Sequence, residues 1–338
     1  MSQAPSHPAP RNTRRAAMHS ALRLALGPAL RAARRGAIAR ALRFCTTAAL
    51  LVLACAGTAT ARVDPSPPAP GSAASLVAKY AALKDELANN PFRRPIHLDS
   101  AEGKDRIAGE IYALVNAPFA TAGGILEKPA HWCDILLLHL NNKYCKPESA
   151  DRATALHVAV GTKNEQPLAD AFHVNFAYRV AARTADYLQV RLEADEGPLS
   201  TRDYKIVLEA IPADDGHTFI HLSYAYGFGI VGQLAMKTYL NTVARNKVGF
   251  TVVPDGRGSG TPVGGMRGAV ERNTMRYYLA IEAFLGAQTA PPAARMENAF
   301  REWFAATESY SRQLHEIPEH EYLAMKRKEY SRQQSSLN

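Results

Sequence analysis

The sequence predicts an α+β fold: an antiparallel sheet of about seven strands followed by a long helix, with further helices before and after. Three observations carry this reading. Between residues 106 and 227, apolar residues recur at every second position in segments joined by short polar turns. After residue 230 the apolar spacing changes to three and four and stays so to residue 316. Before residue 90 the helical spacing appears once, in Leu76, Tyr80, Leu83 and Leu87.

The elements follow in order. A helix over 75–89 ends at Asn90-Pro91. In 106–115, Ile107, Ile111, Ala113 and Val115 share one parity, which predicts a strand with one buried face. Asn116 can cap a helix whose first turn holds Pro118, but Gly123 and Gly124 weaken it. Pro129 ends that helix and opens a second short turn around His131-Trp132-Cys133. The continuous apolar runs 135–141 and 155–161 are read as strands. Strict alternation then marks Phe172 to Val180, Leu188 to Leu192, Tyr204 to Ala210 and Ile220 to Tyr226, with PADDG (212–216) as a turn. Helical spacing returns in Ile230–Lys247, 266–285 and 295–316, and a Gly-rich loop, 254–265, separates the first two.

The first 61 residues read as a targeting leader. They hold nine arginines, no lysine and no acid, followed by an uncharged apolar stretch from Phe44 and the small-x-small site Ala59-Thr60-Ala61. Cleavage is expected before Arg62, with translation starting at Met1 or Met18. The apolar core is shorter than the ~20 residues that a membrane span needs. Residues 62–74, rich in Pro and Ser, are read as a disordered linker, and 75–330 as one domain whose part 249–330 is a helical extension. Val52-Leu53-Ala54-Cys55 loosely resembles a lipidation site and keeps an anchor through Cys55 as the alternative.

Charge and cysteine content restrict the function. The whole chain has 40 basic and 31 acidic residues; without the nine leader arginines, 31 basic residues face 31 acids. A neutral mature chain argues against nucleic acid as a partner, since phosphate binding needs a basic surface. Lys326-Arg327-Lys328 is read as a solvated helix face. Cys133 and Cys145 are the only cysteines beyond the leader. An even pair in an exported chain reads as a disulfide, with two buried thiols as the alternative. His131 and His139 lie nearby, but no zinc-ligand spacing frames them, so no metal is expected. No nucleotide-binding or nucleophile-elbow motif occurs, and no cofactor is expected.

The segment GEIYALVNAPFATAGGILEKPAHWCDIL (109–136) resembles the first strand, the Ala-Pro helix start and the Pro-x-x-Trp turn of the START-like, or helix-grip, superfamily. The matching residues are Ala117, Pro118, Lys128, Pro129 and Trp132, and the resemblance covers roughly 105–248. It implies a curved sheet that grips Ile230–Lys247 and leaves an apolar cavity for a hydrophobic small molecule such as a lipid. Tyr178, Tyr224 and Tyr226, each on the buried parity of its strand, are then candidate ligand contacts, with core tyrosines as the alternative. Leu234, Trp132 and His139 join them. Arg272 and Arg276 either lie on a solvated helix face or close the cavity mouth over an anionic head group. The expected function is therefore an exported, periplasmic or secreted, binder or carrier with transient membrane contact and no oligomer. The alternatives are a cyclase- or hydrolase-like enzyme using the same cavity, or an envelope interaction protein.

Overall fold

Eight strands pair into one antiparallel sheet: β1 Ile96–Glu102, β2 Arg106–Val115, β3 Asn142–Ala150, β4 Ala153–Val160, β5 Phe172–Arg183, β6 Leu188–Gly197, β7 Thr201–Pro212 and β8 Thr218–Phe228. Their order across the sheet is β1-β2-β8-β7-β6-β5-β4-β3. The meander β3 to β8 thus returns to lie beside β2, and β1 and β3 form the two edges. The structure, a computed structural model, describes residues 69–150, 153–214, 216–242, 245–254 and 260–336. The expected leader, its cleavage site and Cys55 lie outside the described residues.

The alternation seen in the sequence sorts the two faces of this sheet. In β2, Ile107, Ile111, Ala113 and Val115 are buried on one face, and their partners in β8 are Tyr226, Leu222, Ile220 and Thr218. The opposite face carries Tyr112 and Leu114, which pack with α1 (Ala73–Ala88). Leu76, Leu83 and Leu87 of α1 meet Tyr187, Ile211 and Phe219 there. The Ser72 hydroxyl caps this helix by accepting from the Ser75 N–H at 3.2 Å.

Between β2 and β3 run two short helices, α2 (Phe119–Leu126) and α3 (Pro129–Leu138). Helix α3 corrects the reading of 135–141 as a strand: a continuous apolar run is buried on all sides in either form, and periodicity cannot separate the two. Cys133 of α3 and Cys145 of β3 form the expected disulfide, with Cα atoms 5.0 Å apart.

The helix held against the large face is not the one expected. Ile230–Thr242, α4, leaves Ile230 88% and Leu234 67% exposed. The central helix is α5 (Gly265–Ala287), whose Val270, Met275, Tyr278, Leu279, Ile281 and Phe284 are buried. At 23 residues it is about 35 Å long, enough to cross the sheet. Both helices carry an apolar stripe, and the sequence does not say which stripe the sheet takes. A small hairpin, β9 (Val252–Pro254) and β10 (Gly260–Pro262), leads into α5. The Glu271 carboxylate of α5 pins this lead-in by accepting the Phe250 and Thr251 N–H groups at 2.6 and 2.9 Å.

Three C-terminal helices complete the layer: α6 (Arg295–Glu308), α7 (Ser311–Leu314) and α8 (Glu319–Ser335). Helix α8 overturns the reading of Lys326 as solvated. Lys326 is fully buried, donating to the His139 and Asn142 carbonyls at 2.8 and 3.0 Å and to Glu329 at 2.8 Å. Lys143 shares the same carboxylate at 3.2 Å, so two buried ammonium groups flank Glu329. Each amine finds carbonyl partners, which makes its burial tolerable.

Candidate functional site

The wall of the concave face comes from alternate residues of four strands. β4 gives Val158 and Val160, β5 Val174 and Phe176, β7 Tyr204 and Ile206, and β8 Tyr224. Leu136 of α3, Asn142, Pro198 and Tyr277 of α5 close the remaining sides. They enclose a cavity of about 60 Å³, room for roughly four to six water molecules. The cavity does not lie beside Ile230–Thr242 as expected: among the described residues its helical side is lined by Tyr277 of α5 and Leu136 of α3.

The cavity has an identifiable mouth. Pairing between β5 and β6 runs from Arg183↔Leu188 to Ala177↔Glu193 and stops. Beyond it, Phe172 to Phe176 pair only with β4, and Ala194 to Gly197 only with β7. Val174, Phe176 and Pro198 line the cavity where this seam opens. The turn beside it is conformationally unusual: Leu199 and Ser200 have φ of 58° and 59°, a region that non-glycine residues seldom enter.

Aromatic rings dominate one wall. Tyr204 stacks on Tyr226 with centroids 5.2 Å apart, meets Phe176 edge-on at 6.3 Å, and lies 6.2 Å from Tyr224. Tyr224 in turn lies 5.5 Å from Tyr277. The Tyr204 hydroxyl shares a 2.6 Å hydrogen bond with Thr201, and burial pushes its pKa up to about 12. Tyr224 is 7% exposed. Its pKa is raised well above the usual phenol value by burial first and then by its tyrosine neighbours, with no hydrogen bond among the causes. With Asn142, Tyr204 and Tyr277, Tyr224 is one of four polar side chains that line the cavity.

The residues singled out in the sequence divide. Tyr224 lines the cavity, and Tyr226 backs it through the stack on Tyr204. Tyr178 turns to the rim, where its hydroxyl donates to the Glu127 carbonyl at 2.7 Å. Trp132 is a core residue that donates its indole N–H to the Leu126 carbonyl at 2.7 Å. His139 is buried behind the wall, stacked on Tyr277 at 4.8 Å. Its Nδ1 accepts the Asn141 N–H at 3.1 Å, and burial, reinforced by Arg276 and Lys326, lowers its pKa well below the usual imidazole value. Leu234 is exposed on α4 and lines no part of the cavity.

Arg272 and Arg276 are buried, which corrects the solvated-face reading. Arg272 donates to the Val248 carbonyl at 3.1 Å, holding the segment that follows α4. Arg276 binds Glu316 at 2.7 Å, a carboxylate that Lys163 and Lys247 also reach at 2.6 and 3.4 Å. Of the cavity residues, sequence reasoning named only Tyr224 as a ligand contact; those it missed include Asn142, Phe176, Tyr204, Ile206 and Tyr277. Tyr204 was legible, since it shares the buried parity of Ile206 and Leu208. Among the described residues no group of His, Cys, Asp and Glu is placed to hold a metal ion, and no helix is long and apolar enough to cross a membrane.

The sequence matches no protein-family model and no curated protein. Solved structures do resemble the chain. Norcoclaurine synthase from Thalictrum flavum is 14% identical, with a TM-score of 0.30 over 43% of this chain and 86% of its own. The Zhui aromatase/cyclase from Streptomyces sp. R1128 is 13% identical, with a TM-score of 0.29 over 44% and 86%. A conserved protein of unknown function from Enterococcus faecalis is 7% identical, with a TM-score of 0.28 over 70% and 91%. These overlaps are partial and assign no residue of the cavity.

Proposed function

We propose that this chain is an exported START-like protein that binds a small hydrophobic molecule in its concave cavity. The observation that carries the reading is the cavity itself: an aliphatic and aromatic wall that includes Tyr204, Tyr224 and Tyr277. Such a wall favours an apolar ligand with one polar group, which the tyrosine hydroxyls or Asn142 can meet with a hydrogen bond. An aromatic ring and a lipid chain both exceed the present space of about 60 Å³, so binding either requires the seam between β5 and β6 to widen. The wall residues include no acid, histidine or lysine, which supports binding over acid–base catalysis. The Cys133–Cys145 disulfide supports an oxidising compartment, as the arginine-rich leader does.

Native mass spectrometry on protein from the exporting compartment tests this. The expected spectrum shows a chain beginning at Arg62 with a small apolar molecule retained, and less of it retained by Tyr224→Phe. A chain carrying nothing after gentle extraction, in wild type and variant alike, contradicts the binding reading. A lipid-modified Cys55 at the N-terminus replaces free export by anchoring.

A further inference from the structure

Asp134 is a carboxyl group that the cavity reading does not use. It stands on α3 beside the disulfide-bonded Cys133 and faces α8. Its Oδ1 accepts the Gln333 side-chain N–H at 3.0 Å. The other end of the same amide, the Gln333 Oε1, accepts the Cys145 N–H at 3.1 Å. Cys145 pairs with Val158 of β4 on one side, and its other side is the open edge of the sheet. One buried side chain therefore ties α8 to α3 and closes an N–H on that edge. The Tyr144 hydroxyl shares a 2.6 Å hydrogen bond with Ser336 just beyond the same turn.

A partly buried carboxylate is normally held by a cation, and here the neighbouring cations serve other acids. Lys143 of β3 and Lys326 of α8 hold Glu329, one turn before Gln333. Arg301 and Arg327 hold Glu297 of α6. Arg332 acts on Lys143 and Glu165. Lys146 of β3 is exposed on the opposite parity to Cys145. On α3 itself, His131 bonds the Ile125 carbonyl. The ionisable group that feels Asp134 is Tyr330 of α8, a phenol that is neutral at physiological pH. Burial raises the Asp134 pKa from 3.8 to about 7, opposed by the Gln333 hydrogen bond, with no cation among the causes.

We infer that Asp134 and Gln333 form a pH-dependent guard on the β3 edge: the last turn of α8 is seated while Asp134 is protonated and loosens when it ionises. Peeling that turn away returns the carboxyl group to water and to its ordinary pKa. Between 3.8 and about 7 the open form has lost a proton that the seated form keeps. Opening therefore grows easier as pH rises through this window and levels off above it. The inference stands apart from the cavity reading, since opening is measured without any ligand.

Amide exchange of the full chain with its disulfide intact tests it, with rates corrected for the intrinsic pH dependence of exchange. Opening at Cys145 and at residues 330–335 is expected to rise about tenfold from roughly pH 6 to roughly pH 7.5, below the range in which Lys326 titrates. Asp134→Asn keeps an acceptor for Gln333 without a titrating proton, and its opening is expected to be flat over the same range. Gln333→Ala is expected to speed Cys145 exchange about tenfold at the lower pH, where Asp134 is still protonated. A carboxyl-carbon titration of the wild-type chain reads the proton directly and does not depend on either variant folding; its midpoint is expected at about 7. A midpoint below about 5, a pH rise that persists in Asp134→Asn, or unchanged Cys145 exchange in Gln333→Ala overturns the inference. Exchange of Cys145 and 330–335 as slow as that of the β2–β8 ladder, the mark of global unfolding alone, overturns it as well.

Discussion

Thr274 of α5 stands where a side-chain carbon on Gly109 of β2 would lie, its hydroxyl in the place a Cβ would take. This contact sets the distance between the central helix and the sheet. Gly109 pairs with Tyr224 across the β2–β8 ladder, so this close approach of α5 occurs beside the cavity tyrosine. Gly109→Ala is expected to force helix and sheet apart and to cost about 1–3 kcal/mol by denaturant unfolding. Gly124→Ala in α2, where an added Cβ meets nothing within 4 Å, is expected to be neutral or to stabilise by up to about 1 kcal/mol. Equal effects at the two sites contradict this packing.

The disulfide joins α3 to β3 across a sequence separation of 12. Cys133→Ser is expected to lower stability by about 2–4 kcal/mol, read from the unfolding midpoint. Non-reducing peptide mapping of chain from its native compartment should link the two cysteines. Alkylation of both thiols without reductant contradicts the pairing.

Burial lowers the Lys326 pKa from 10.5 to about 8, outweighing the attraction of Glu329. Its folded value is therefore depressed, and between these limits the unfolded chain binds the extra proton. The neutral amine contributes stability that is fully present above about 10.5 and is lost as pH falls through about 8. Wild type should thus gain stability relative to Lys326→Met as pH rises from 8 to 10, a comparison in which the buried tyrosines cancel. A flat or inverted difference contradicts the assignment. Glu329→Gln should cost more, about 3–5 kcal/mol near neutral pH, because it leaves Lys143 and Lys326 buried without their shared carboxylate.

What the sequence revealed and what it hid have physical causes. The strands β2 and β4 to β8 were legible because each buries alternate residues against a single core. The two missed strands of the large sheet, β1 (IHLDSAE) and β3 (NKYCKPESA), are its edges, where half the backbone and much of the side-chain surface faces away from the core. Pro147 in β3 is tolerated because the strand is an edge. The exchange of α4 for α5 as the central helix displaced Leu234 and concealed Tyr277. Helix α8 was legible only as a solvated face at 326–328, because beside Tyr322, Leu323 and Met325 it buries Lys326, Glu329 and Gln333, which are held by hydrogen bonds rather than apolar area. Tyr224 survived because strand parity alone puts it on the concave face.

The measurement that bears most directly on the central claim is a titration of the chain with p-cresol, a single ring with one hydroxyl, followed by amide chemical shifts. Saturable shifts are expected at Val158, Val174 and Tyr224, weakened about tenfold by Tyr224→Phe, the loss of one hydrogen bond of about 1.4 kcal/mol. Val174→Trp, which fills the cavity, is expected to abolish them while the protein stays folded. Shifts that never saturate, or that persist unchanged in Val174→Trp, contradict a ligand site in the concave cavity.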